Sequence, residues 1–197
     1  MHGGELPGHA ASHGCVRLPL EFARKLYTLT ADGTTVIVTD HRFHFGTQKF
    51  SALLFTSSTE PITPPEVTYW NPSKSPEGPL SIVVSSADGE VYVYRQAVEI
   101  GRSPFGGLHG LNGLYVYYAL GTYDQGGKRN WLSIGSIVGQ PPQVKDLINQ
   151  VAVDPQFLAE TRSLITTGTT LIVTDAPVNT GTPRNSKFEI LTTAASP

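Results

Sequence analysis

The sequence predicts a β-rich α+β protein, assembled from two related pieces. Three observations lead there. Short runs of β-branched and aromatic residues, closed by Gly and Pro, recur through the second half as strands closed by turns. Only three segments show helical spacing. One motif occurs twice, once near each end of the chain. A chain of 197 residues is long enough to bury a core in one or two small domains.

Taken in order, residues 1–19 read as an irregular loop rich in Gly and His. In Leu20 to Leu29 the apolar residues Leu20, Phe22, Ala23, Leu26, Tyr27 and Leu29 fall close to an i, i+3, i+4 stripe, which predicts an amphipathic helix. Pro19 near its first turn and Gly33 past its end are the expected punctuation. Thr34 to Thr39 is a β-branched run and predicts a strand. Residues 41–78 carry little pattern and several Ser/Pro clusters, so a linker is expected there, with a second domain over 79–197.

That domain should open with a hairpin, Leu80–Ser85 and Glu90–Arg95 around Ala87-Asp88-Gly89, because an Asp-Gly pair supplies the positive φ that hairpin turns need. Further strands are expected at Val98–Gly101, Leu114–Leu120, Asn130–Ile134 and Thr169–Thr174, and helices at Val144–Val151 and Pro155–Ile165. The repeat joins the two ends without gaps. Phe22…Leu29…Gly33-Thr34-Thr35-Val36-Ile37-Val38-Thr39-Asp40 lies on Phe157…Leu164…Gly168-Thr169-Thr170-Leu171-Ile172-Val173-Thr174-Asp175. In that register Gln150 stands where Cys15 would be and Ile148 where His13 would be, so the second piece has no thiol.

The composition narrows the function. A net charge of −2 leaves no footprint for nucleic acid or for an anionic membrane surface. No stretch approaches the roughly 20 apolar residues that span a bilayer, so no transmembrane segment is expected. A single Cys forbids an internal disulfide.

That cysteine carries the chemistry. It lies in Ser12-His13-Gly14-Cys15-Val16-Arg17, downstream of His2-Gly3. An imidazole that takes the thiol proton creates a thiolate–imidazolium pair. Gly14 lets the chain turn tightly and frees the amides of Gly14 and Cys15 to face a developing oxyanion. A lone Cys is more often a small buried hydrophobe, but this one sits in a polar, Gly-rich loop beside His and Arg. His2 reads as the base rather than as a loose terminal residue. His9 reads as a loop-packing or substrate-rim residue, and His41, His44 and His109 have no constellation around them. His2, His9, His13 and Cys15 also make a conceivable zinc set; His9 and His13 do stand four apart, but no second pair of the Cys-x-x-Cys kind completes a structural zinc spacing.

With His2-Gly3, Leu6-Pro7-Gly8, the Ser12–Arg17 run followed by Leu18-Pro19, and the helix and strand behind them, residues 1 to about 40 resemble the L,D-transpeptidase (YkuD-type) catalytic domains of bacteria. The resemblance implies a YkuD-like mixed sheet or barrel, with its first copy truncated at the front and a second, degenerate copy over 79–197. It implies that Cys15 is the nucleophile, that His2 is its base and that His13 and Gly14 shape the site. Ser12 and Arg17 would contact substrate, Arg17 because a guanidinium fork matches a carboxylate. It further implies peptidoglycan peptide stems as substrate, carbapenem-type β-lactams as inhibitors, no metal or organic cofactor, and a periplasmic or cell-envelope location. Strands that the family places ahead of its His-Gly pair are missing here, so a longer natural protein with an export signal is expected.

Overall fold

A computed structural model describes residues 1–7, 15–38, 42–57, 69–108, 110–137 and 149–178. The described chain divides into two units, Met1–Ala31 and Asp32–Val178.

In the first unit, β1 (His2–Gly3) and β2 (Arg17–Leu18) form a two-stranded parallel sheet, followed by helix α1 (Leu20–Leu29). The helix occupies the predicted residues. Pro19 sits at its N-cap with φ −52°, and the Ala23 amide donates to the Pro19 carbonyl at 2.9 Å. None of the ten residues of α1 is buried.

The second unit is an eleven-stranded mixed sheet among the described residues. Four short strands come from the segment expected to be a linker: β3 (His44–Phe45), β4 (Lys49–Ser51), β5 (Thr56–Ser57) and β6 (Tyr69–Trp70). The longer ones are β7 (Leu80–Ser85), β8 (Glu90–Arg95), β9 (Val98–Gly106), β10 (Leu114–Tyr123) and β11 (Arg129–Ser136). Then come β12 (Ala152–Val153), helix α2 (Pro155–Leu164) and β13 (Thr170–Thr174). The spatial order is β3-β11-β10-β13-β7-β8-β9-β12-β5, with β4 also on β11 and β6 also on β9. Most neighbours are antiparallel, while β13 runs parallel to β7 and β12 parallel to β5.

This architecture is β-rich with a mixed sheet and few helices, compatible with the fold class that the sequence predicts. The β7–β8 hairpin has the expected register, Leu80 opposite Arg95 through Ser85 opposite Glu90, and Gly89 takes φ +68° at its turn. The next connection, Gln96-Ala97, has positive φ at both residues (+52° and +61°), the geometry of a two-residue hairpin turn. No Asn-Gly or Asp-Gly pair signals it, and the turn chemistry alone would have missed it.

Three expectations are corrected. Residues 1–19, read as an irregular loop, hold the paired strands β1 and β2. The predicted linker supplies four strands and core residues: Ala52, Leu54 and Phe55 are buried with Ile82, Val93, Tyr117 and Trp131. Strands of two or three residues are too short to show a period of two, so nothing in the sequence pattern reveals them. The predicted strand at Thr34–Thr39 has no strand pairing over its described residues, 34–38. A β-branched run becomes a strand only beside a partner. The place next to Ser81 on β7 is already taken by Thr170 of β13. Thr35 reaches β7 by its side chain alone, through a 2.5 Å hydrogen bond between the Thr35 and Ser81 hydroxyls. The helix expected at Val144–Val151 falls largely on residues outside those described. Among the described residues, no helix is long and apolar enough to cross a membrane.

Candidate active site

The candidate site lies within the first unit, and a parallel ladder organises it. The His2 amide donates to the Val16 carbonyl and the Gly4 amide to the Leu18 carbonyl, each at 3.1 Å. Strand pairing sets His2 opposite Arg17 and Gly3 opposite Leu18. Two stretches more than ten residues apart in the chain are therefore tied side by side, with His2 alongside the residue two positions after Cys15.

Cys15 is exposed, not packed away as the ordinary fate of a lone cysteine would have it. His2 is exposed as well, and its Nδ1 lies 3.0 Å from the Gly3 carbonyl oxygen. A carbonyl only accepts, so in the neutral ring this hydrogen bond puts the proton on Nδ1 and the lone pair on Nε2. Backbone carbonyls commonly set an imidazole tautomer in this way. The orienting group belongs to the main chain, and no side-chain motif could have announced it.

The glycine beside His2 has a steric purpose. A Cβ on Gly3 would lie 2.9 Å from Leu20 Cδ1 and 3.3 Å from Ala23 Cβ, so a larger residue would require the Leu20 side chain and the helix to shift slightly. The His-Gly pair thus sets an exposed imidazole next to a small residue that packs on the helix. Arg17 is half-buried, its backbone held by the ladder. An open groove of about 670 Å³ runs beside β1 and α1, with His2 and Arg24 among otherwise mostly apolar lining residues.

Of the expected site residues, the structure brings His2 and Arg17 together and describes Cys15 close by in the chain. Ser12, His13 and Gly14 lie outside the described residues, as does His9. Among the described residues, no group of three or more His, Cys, Asp or Glu side chains could hold a metal ion.

The second unit offers a contrast at the corresponding register. Gln150, at the place of Cys15, is exposed, and a Cβ on Gly107 would collide with the Gln150 carbonyl. Ile137 stands where the same register puts His2, and its amide is spent on the Leu114 carbonyl at 3.0 Å. Neither residue can supply a thiolate or a base.

Comparison with the curated proteins and with the solved structures found no match. A family model does match the segment that holds this ladder, the exposed thiol and the oriented imidazole: residues 1–38 align with YkuD, the L,D-transpeptidase catalytic domain.

Proposed function

We propose that residues 1–38 are the catalytic corner of a peptidoglycan L,D-transpeptidase, a cysteine acyltransferase of the bacterial cell envelope. The observation that carries this reading is the β1–β2 ladder, which ties an imidazole with its Nε2 lone pair available beside the strand that follows Cys15. The family match to the same residues supports it.

In this reading the Cys15 thiol gives its proton to His2 Nε2, and the sulfur attacks the carbonyl of the third residue, meso-diaminopimelate, in a donor tetrapeptide stem. The amides of Gly14 and Cys15 hold the oxyanion of the tetrahedral intermediate. As the C–N bond breaks, protonated His2 returns the proton to the departing D-Ala amine, and a thioester remains on Cys15. The side-chain amine of a second stem then attacks the thioester. A new amide forms, the C–S bond breaks and the thiol is restored. His13 shapes the loop, and Ser12 and Arg17 engage the stem, Arg17 through a carboxylate. No cofactor enters. The second unit, a degenerate relative without a nucleophile, serves as scaffold or binding module.

A second reading, a catalytically inactive peptidoglycan-binding or structural module, draws on one observation: α1 buries none of its residues, so the helix beneath β1 is weakly anchored. A single experiment separates the two. The protein is incubated with a carbapenem, and the adduct is located by mass spectrometry in the wild type and in the Cys15→Ala and His2→Gln variants. The enzymatic reading expects one adduct on Cys15, absent in Cys15→Ala and formed at least about tenfold more slowly in His2→Gln. No adduct on Cys15, or labelling indifferent to His2, would favour the inactive module.

A further inference from the structure

We draw no further inference here: the strongest candidate, the open and mostly apolar groove between the first strand and the first helix, lined by Leu18, Leu20, Ala23, Leu26 and Tyr27, carries nothing because nothing in the structure shows what covers it.

Discussion

The repeated motif makes the same elements twice, and the two outcomes differ most in what the motif packs against. Helices α1 and α2 begin and end at aligned residues, Leu20 with Pro155 and Leu29 with Leu164. Each follows a two-residue strand that has a parallel neighbour, β2 on β1 and β12 on β5. The glycines after them both adopt positive φ, +85° at Gly33 and +95° at Gly168. From there the copies part. In the second, Thr170–Thr174 becomes a central strand between β10 and β7, and α2 buries Phe157, Leu158 and Thr161. Phe157 meets the Trp70 ring edge-on at 5.4 Å. In the first, residues 34–38 join no strand, Val36 and Val38 are 52% and 77% exposed, and α1 buries nothing. Local sequence suffices to form a helix, a cap glycine and a short parallel pair. A buried helix face and a paired strand require a neighbour that the local sequence does not contain.

The largest expected test of this contrast is truncation of the aligned phenylalanines. Phe157, 1% exposed, should cost about 3–5 kcal/mol on substitution by Ala, as a buried aromatic does. Phe22, 53% exposed, should cost no more than about 0.5 kcal/mol. Urea unfolding of Phe157→Ala and Phe22→Ala reads both values, and equal losses would break the comparison.

The aligned glycines should reverse that order. Ala at either position meets the left-handed penalty of about 1–2 kcal/mol. A Cβ on Gly33 would also lie 2.6 Å from Gln96 Cα, a backbone atom that cannot swing away. At Gly168 the nearest atom is the Tyr118 hydroxyl at 3.4 Å, an ordinary contact. Gly33→Ala should therefore lower the melting temperature of the Asp32–Val178 core more than Gly168→Ala. The opposite order would mean that Gly33 is not seated against the β8–β9 turn.

The helix starts provide a finer test. Asp154 accepts the Phe157 amide at 2.9 Å, whereas Pro19 offers no side-chain cap. Asp154→Ala should cost about 1 kcal/mol, and Pro19→Ala should change the chemical denaturation midpoint little. An effect of similar size belongs to Thr35. Removing its hydroxyl with Thr35→Ala deletes one hydrogen bond to Ser81, a loss of about 0.5–1.5 kcal/mol, and should speed amide exchange at residues 34–38. A variant with unchanged exchange there would show that this contact holds nothing in place.

Much of the candidate site was legible in the residues. The only thiol, the His-Gly pair and the polar, glycine-rich run are local features, but the two strands that set His2 beside Arg17 lie in residues that read as an irregular loop, because two-residue strands show only in what they pair with. The acceptor that orients His2 was not legible, because it is the Gly3 carbonyl and every residue carries one. In the fold, β7, β8, β10, β11, α2 and β13 follow from alternation, turn glycines and helical spacing, to within a few residues at their ends. The strands in 42–57 and 69–78 do not, because their signal lies in what they pair with.

From its amino acids this chain sets where its described helices start and stop, which turns need glycine, and which side chain is the thiol. Those are short-range matters of sterics, dihedral preference and side-chain chemistry. Three-dimensional packing decided which of two near-identical β-branched runs became a central strand, and which of two aligned phenylalanines entered the core. Hydrogen-bond ladders and buried area are shared between distant segments, so a partner's presence outweighs the preference of the residues themselves.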